Sequence, residues 1–295
     1  MGEFKTYHPI VNFIYFVSVI GFSCFFMHPV CLFISLASGF LYSVMLKGKK
    51  AIKMNLLYML PMLFLMAIIN PIFNHEGVTV LGYLPNGNPV TLESTIYGIC
   101  TAIMLLSVIC HFSCYNEIMT SDKFIYLFGK IMPAMSLVIS MTLRFVPKFM
   151  TQLRLIVNAQ KCIGRDMSKG NIFQRVKKGL NILSVLVTWS LENAVETADS
   201  MKSRGYGIPG RSVYSVYVFD KRDIKALVFI TLLDLYTLLG CIMGRVQFNY
   251  FPSIQAVEIS VFDASVFIAY FLLCVCPVII EIMEVIRWKI LRSKI

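Results

Sequence analysis

The sequence lacks the short motifs that build the common nucleotide-hydrolysing and bond-cleaving sites. It contains no GxxxxGKS/T phosphate loop, no HExxH zinc motif, no GxSxG nucleophile turn and no DDxxD-like cluster of acids. The chain therefore does not carry its own P-loop ATPase. Its four histidines, at positions 8, 28, 75 and 111, are scattered. We expect each to be a packing or interfacial residue rather than a metal ligand.

Cysteines with metal-binding spacing are also missing. Nine cysteines are present, mostly inside apolar runs, and none forms a CxxC or a Cys/His metal spacing. We expect them to be free thiols that pack as small apolar side chains, and we expect no metal site.

Charged residues are scarce. They make up 15% of the chain, against 57% hydrophobic residues, and the mean hydropathy is +0.73. Soluble domains carry about 25% charged residues, so the composition indicates an integral membrane protein. Net charge is +11, and 14 of the 27 cations lie in residues 144–222, with five acids. Such a patch could bind nucleic acid, but in a membrane protein it more simply marks the cytoplasmic side, and we expect no nucleic-acid partner.

The remaining apolar residues are organised into runs of membrane-spanning length. We predict six spans, at 10–27, 30–46, 55–72, 94–115, 224–243 and 262–286. The segment 47–53 holds four cations, whereas 73–93 has no Lys or Arg and contains the turn signal Pro85-Asn86-Gly87. The positive-inside rule then places 47–53 inside, 73–93 outside and both termini in the cytoplasm.

One segment, 131–146, is apolar enough for a short span. A crossing there would put either 116–130 or the basic block outside. We interpret it instead as the start of a long helix along the cytoplasmic face. Pro133 near its start and Pro147 inside it agree with a helix that begins cleanly and then bends.

A second long helix is predicted from Ile172 to Arg204. Its apolar side chains recur in steps of three or four, which is the period of one helical face. They are Val176, Leu180, Leu183, Val187, Leu191, Ala194, Ala198 and Met201. The helix should end at Arg204, with Gly205 free to adopt a left-handed cap. The upstream helix ends similarly, near Gly164 and Arg165. Either arginine alone is ordinary helix capping, but the pair indicates a two-pronged docking device.

The predicted spans themselves carry few polar groups, unlike the broken helices of secondary transporters. Asp234 is the exception. An acid inside a span is a functional candidate, and a plain hydrogen bond between helices is an equal alternative. The polar residues are concentrated in the cytoplasmic helices, which points to a protein that transmits motion to or from a cytoplasmic partner.

Several segments resemble the transmembrane T component of energy-coupling factor (ECF) transporters, the EcfT/CbiQ family. The resemblance covers about residues 10 to 285. The segments are Asn70-Pro71-Ile72-Phe73 with His75-Glu76-Gly77, Thr142-Leu143-Arg144-Phe145-Val146-Pro147, Ala159-Gln160-Lys161, and the run from Ala198 through Ser203-Arg204-Gly205 to Gly207. The family closes its two coupling helices with Ala-Arg-Gly. The second motif is nearly intact here. In the first, glycine precedes the arginine.

The resemblance implies an all-α integral membrane protein with about six transmembrane helices and long amphipathic cytoplasmic coupling helices. We divide the sequence into three regions: residues 1–118 with the first four spans, 119–222 with the coupling helices, and 223–295 with the last two spans and a basic tail. The protein would be a non-catalytic subunit of a bacterial cell-membrane importer for a vitamin or metal ion. Its partners would be two ABC-type ATPases, which hold the ATP, and a substrate-binding S component; this chain would bind no cofactor itself.

The resemblance also assigns roles to residues. Ser203, Arg204 and Gly205, with Gly164 and Arg165, would dock the ATPases. Arg144 and Pro147 would serve structure and coupling. From the apolar stripe itself we further predict that Leu183, Val187 and Leu191 include platform residues for an exchanging S component, and that Trp189 lies at the lipid interface, as tryptophans tend to.

Two other classes stay open from the residues alone. One is a membrane-embedded enzyme, such as a lipid-phosphate transferase, with 73–93 as its active-site loop. The other is a self-contained permease with a substrate path through its own spans. Co-purifying ATPase subunits would separate both from the T component.

Overall fold

The computed structural model describes residues 2–83, 85, 87–129, 132–165, 171–206, 208, 217–254 and 260–292. These residues are almost entirely helical, which confirms the all-α prediction. A short 3-10 helix, Glu3–Thr6, is followed by α1 Pro9–Phe25, α2 Pro29–Lys47, α3 Lys49–Phe73, α4 Leu92–Ile118, α5 Ser121–Gly129, α6 Pro133–Cys162, α7 Ile172–Ser203, α8 Lys221–Ile242 and α9 Val261–Arg292.

Each of the six predicted apolar runs forms a helix. Five of them, α2, α3, α4, α8 and α9, are long and apolar enough to cross a membrane, and α1 is a shorter apolar helix of 17 residues. A helix of that length lies at the lower limit for a hydrocarbon core of about 30 Å. The protein is an all-α membrane protein.

The segment 47–53 was predicted as a cytoplasmic loop between two spans, and that prediction is wrong. Helix α2 ends at Lys47 and α3 already begins at Lys49. Gly48 alone connects them, at φ 64°, which is a conformation that glycine adopts at no steric cost. Three of the four cations, at 49, 50 and 53, therefore lie in the first turns of α3.

The segment 73–93 contains a two-stranded antiparallel hairpin, β1 Val80–Tyr83 and β2 Pro89–Thr91. Asn86 of the predicted turn Pro85-Asn86-Gly87 lies outside the described residues. Thr91 then caps α4, because its hydroxyl oxygen accepts from the Ser94 backbone N–H at 3.3 Å. The hairpin is thus continuous with the start of a span.

The chain divides into two compact units, Met1–Lys123 with Tyr217–Ile295, and Phe124–Val216. We call the first the membrane unit and the second the helix-pair unit. The membrane unit contains the apolar helices and a core rich in fully buried aromatic side chains, among them Phe4, Tyr15, Phe16 and Tyr270. The helix-pair unit consists mainly of α6 and α7.

A chain of buried hydroxyls crosses the membrane unit. Ser35 of α2 lies 2.5 Å from the hydroxyls of both Ser23 in α1 and Ser107 in α4. Nε2 of His111 lies 3.1 Å from the Ser35 carbonyl oxygen. Polar groups in a low-dielectric interior are costly unless paired, so this network ties α1, α2 and α4 together.

The N-terminal segment fastens the ends of several helices in the membrane unit. The backbone N–H of Phe4 donates to Oε1 of Glu281 in α9 at 3.3 Å, and that of His8 donates to Oδ1 of Asp223 in α8 at 3.4 Å. Nζ of Lys123 in α5 donates to the Lys5 carbonyl at 2.5 Å. Lys123 and Asp223 flank the helix-pair unit in sequence, so the chain is anchored on both sides of that unit.

Candidate functional site: the α6–α7 helix pair

Helices α6 and α7 pack against each other and run in opposite directions. Lys148 of α6 donates from Nζ to Oδ1 of Asn193 in α7 at 2.6 Å. Closer to the start of α6, Arg144 borders the same groove as Arg204, which directly follows α7. Moving back along α6 therefore means moving forward along α7, and the two C-terminal tips lie at opposite ends of the pair.

This arrangement separates the two arginines that the sequence had grouped as one device. Arg204 is about three turns beyond the Lys148–Asn193 contact and Arg165 is nearly five turns beyond it, which is about 17 Å and about 26 Å at 1.5 Å per residue. Arg165 and Arg204 therefore cannot enter one pocket of one partner. They form two separate points of contact.

The tip of α7 has the predicted glycine cap. Gly205 has φ 77°. Its N–H donates to the Lys202 carbonyl at 2.9 Å, and the N–H of Tyr206 donates to the Met201 carbonyl at 3.0 Å. This is the Schellman pattern, in which a left-handed residue satisfies the last carbonyls of a helix. Arg204 immediately precedes that glycine and is exposed.

The tip of α6 has the same cap with a different register for its arginine. Gly164 has φ 81°, and the N–H of Arg165 donates to the Gln160 carbonyl at 2.9 Å. Measured from the glycine, the place that Arg204 takes in α7 belongs here to Ile163, which is 70% exposed. Arg165 takes the place of Tyr206. The tips share a backbone but present different side chains, so they are not equivalent.

The apolar stripe of α7 is open. Leu183 is 53%, Val187 48% and Leu191 64% exposed, although a face of this kind usually packs on the protein's own helices. A stripe of large apolar side chains that stays uncovered is characteristic of a binding surface.

A neighbouring face of α7 makes the contact with α6. Ile182 is 4% exposed, and Ile156 of α6 is 8% exposed. The ring of Trp189 meets Phe149 edge-on, with centroids 5.7 Å apart. Trp189 is thus partly covered by α6; its predicted place at the lipid interface stays a prediction. Sequence reasoning missed this face because it follows a different helical row from the regular apolar stripe and includes the polar Asn193.

A groove of about 830 Å³ lies between the first half of α6 and the last half of α7. It brings together three residues that the sequence had singled out separately, Arg144, Pro147 and Arg204. Its other lining residues are Met141, Phe145, Lys148, Thr151, Gln152, Trp189, Glu196, Thr197, Ser200 and Met201. Nothing in the sequence pattern showed that Arg144 and Arg204, sixty positions apart, would share one concave surface.

The three cations of this groove differ in whether they have a partner within the unit. Lys148 is engaged within the unit, since it bonds Asn193 and its Nζ lies 5.6 Å from the Trp189 ring centroid. Arg144 and Arg204 are exposed, and among the described residues neither guanidinium group has a hydrogen-bond or salt-bridge partner. Their guanidinium groups are available to another molecule.

Asp234 in α8 has a partner that the sequence did not reveal. Its Oδ2 accepts from the Ser18 hydroxyl of α1 at 2.7 Å, which agrees with the hydrogen-bonding alternative. Within the described ranges, no three His, Cys, Asp or Glu side chains come together as a metal site.

The fold and this site together define a class: a multi-spanning membrane protein with a pair of long, antiparallel amphipathic helices tipped by arginines. The family model described as "Cobalt transport protein" (CbiQ) matches residues 6–214, and the chain belongs to that family.

Individual relatives are similar over shorter stretches. The chain is 40% identical over 99 residues to the energy-coupling factor transporter transmembrane protein EcfT of Lactobacillus helveticus, covering 33% of this chain and 36% of that protein. It is 35% identical over 106 residues to EcfT of Lactococcus lactis (36% and 40%) and 39% over 100 residues to EcfT of Streptococcus thermophilus (34% and 38%). The matches thus span little more than a third of these relatives.

Proposed function

We propose that this protein is the T component of an ECF-type ABC importer in a bacterial cell membrane. It would dock two ABC-type ATPase subunits at its helix tips and transmit their ATP-driven motion to a membrane S component that binds a vitamin or metal ion. The observation that carries the proposal is the helix pair: two arginine-bearing tips at opposite ends, with an open apolar stripe on α7. The relatives named EcfT support it.

The physical chemistry of the tips suits docking on a folded partner. A guanidinium group is always charged and can bind a carboxylate with two parallel hydrogen bonds. The tight glycine caps remove bulk beside it, so that backbones can approach closely. Because the tips lie about 40 Å apart if the helices are straight, two ATPase subunits can be held at once. In this proposal ATP is bound by the partners and this chain holds no cofactor and catalyses no reaction.

The open stripe suits the S component. Leu183, Val187 and Leu191 offer an apolar surface without a permanent occupant from this unit. An S component that exchanges during transport needs a surface of that kind. The topology that accompanies this proposal puts both termini in the cytoplasm. An impermeant thiol reagent should fail to label a single cysteine at position 170 from outside the cell.

Co-purification tests the proposal. The tagged protein, extracted from its native membrane, should carry two ATPase subunits and an S component. Arg204→Glu should lose most of the ATPase while the protein stays monodisperse. Removing one member of a desolvated charge pair costs about 2–5 kcal/mol. Normal ATPase recovery with Arg204→Glu would show that the docking role is wrong.

A further inference from the structure

We propose that the groove between α6 and α7 receives an acidic segment of an ATPase partner, with Arg144 and Arg204 binding the same segment from opposite walls. This inference rests on the proposed function and extends it. Docking at the α7 tip would use a concave cationic site built by both helices, rather than a single terminal arginine.

The lining of the groove carries more positive than negative side chains. Arg144, Lys148 and Arg204 line it against one carboxylate, Glu196, so its lining is net positive. Glu196 forms no ion pair with either arginine among the described residues. Lys148 is held by Asn193 at 2.6 Å. The two arginines are therefore the unsatisfied cations, one on each helix.

The neutral lining residues indicate the kind of occupant. Thr151 and Thr197 donate their hydroxyls to carbonyls of their own helices, at 3.0 and 2.6 Å, and remain acceptors toward the groove. Gln152 and Ser200 make no such bond among the described residues. A lining that combines amide and hydroxyl groups with the aromatic rings of Phe145 and Trp189 suits a polypeptide, which offers polar backbone groups as well as side chains. A lipid acyl chain would need a continuous apolar trough.

The location of the groove at the α7 tip indicates that its occupant belongs to the ATPase partner. Arg204 is both a wall of the groove and the tip proposed to dock on an ATPase. A segment that pairs with Arg204 lies beside Arg144 without further rearrangement. A carboxylate side chain, or the carbonyl-rich end of a helix with its negative dipole, satisfies both guanidinium groups.

Three single variants of the complete protein, each co-expressed with both ATPases and the S component, test the proposal. Arg144→Gln should weaken ATPase recovery at least tenfold at low salt, and its recovery should fall less steeply with added salt than that of the wild type, because the screened charge contact is already missing. Arg154→Gln, an exposed cation of the same helix outside the groove, should bind as wild type. Ser200→Leu narrows the groove from the opposite wall without changing a charge, and it should also weaken recovery.

A double variant tests whether the two arginines bind one segment, and a comparison of two lipids tests whether the occupant is a lipid headgroup. If both arginines bind one segment, Arg144→Gln combined with Arg204→Gln should cost less than the product of the two single effects. Wild-type recovery with Arg144→Gln and Ser200→Leu, but loss with Arg204→Gln, overturns the groove and leaves tip docking intact. Retention in all variants, Arg204→Gln included, overturns the proposed function as well. If delipidated wild type also loses the ATPase, and added phosphatidylglycerol but not phosphatidylcholine restores recovery in the wild type and not in Arg144→Gln, the groove binds a lipid headgroup and the peptide occupant is overturned.

Discussion

The two units of this protein use their charged side chains in opposite ways. In the membrane unit Arg222 lies 3.7 Å from Glu3, and Arg245 lies 3.9 Å from Asp263. In the helix-pair unit Arg204 has no such partner among the described residues. A half-exposed ion pair of this kind adds little stability, but it commits its guanidinium within the unit, whereas an unpaired guanidinium is available to a second protein. The described ion pairs therefore lie within the membrane unit, whereas the helix pair leaves Arg144 and Arg204 uncommitted.

The comparison predicts that overpacking is most damaging in the membrane unit. A Cβ at Gly98 of α4 would lie 2.8 Å from Cβ of Asn70 and 3.0 Å from the backbone oxygen of Met66, both in α3. Gly98→Leu must therefore push two spans apart, and overpacking of this kind costs about 1–3 kcal/mol or more. We expect a large fall in melting temperature in detergent. Gly21→Leu in α1 is the matched control, because nothing lies within 4 Å of its Cβ position. Equal stability of the two variants would contradict close packing of α3 on α4.

In the helix-pair unit, adjacent positions on one helix should respond differently. Leu183→Asp with Val187→Asp places charge on the open stripe, where both side chains are about half exposed. We expect the fold and ATPase docking to survive while the S component is lost. Ile182→Asp, at a position 4% exposed, buries an unpaired charge against α6 and should lose both partners. Two separate pull-downs measure this. If the stripe variant also loses the ATPase, the stripe is structural core and the platform is wrong.

The α6 and α7 tips should differ in how strongly each contributes to ATPase docking, by a smaller but measurable amount. Because Arg165 lies beyond its glycine, Arg165→Ala should weaken ATPase docking less than Arg204→Ala does. Ile163 occupies the cap position that corresponds to Arg204, so Ile163→Arg should strengthen docking at the α6 tip. Recovery of ATPase from each variant at increasing salt tests the ranking. Equal losses with Arg165→Ala and Arg204→Ala would mean that the register of the arginine around the cap does not matter.

Most of the local structure of this site could be predicted from sequence, and most of its assembly could not. Helical periodicity and the Ser203-Arg204-Gly205 ending gave α7 to within a residue, because cap chemistry is local. The start of α3 was missed, since a single glycine replaced the expected loop after Lys47. The antiparallel pairing, and with it the groove, depends on contacts between residues such as Lys148 and Asn193, which no single-helix pattern encodes.

The faces of α7 show the same limit more sharply. A regular apolar stripe such as the one through Leu183 and Val187 usually packs on the protein's own helices, and the prediction that it forms an open platform rested on the needs of a partner rather than on the periodicity. The structure leaves that stripe exposed, buries Ile182, and brings Trp189 and Asn193 into contact with α6. Hydrophobic periodicity identifies a surface that avoids water. It does not identify which protein covers that surface.

The smallest predicted effect is a pH dependence in the membrane unit, at the buried cation Lys123. Lys123 is 4% exposed, and burial, with a smaller contribution from the Lys5 charge, lowers its pKa to about 8 from 10.5. Between about pH 8 and 10.5 the unfolded chain then holds more protons than the native one, so stability contributed at this site rises with pH. Below pH 8 both states are protonated, and the cost of burying the charge is fully present. The difference in melting temperature between wild type and Lys123→Met should therefore shift in favour of the wild type from pH 7 to pH 10, whereas Lys221→Met, an exposed lysine of the same unit, controls for general charge effects. A difference that stays constant across this range would mean that Lys123 titrates in the native protein as it does in the unfolded chain.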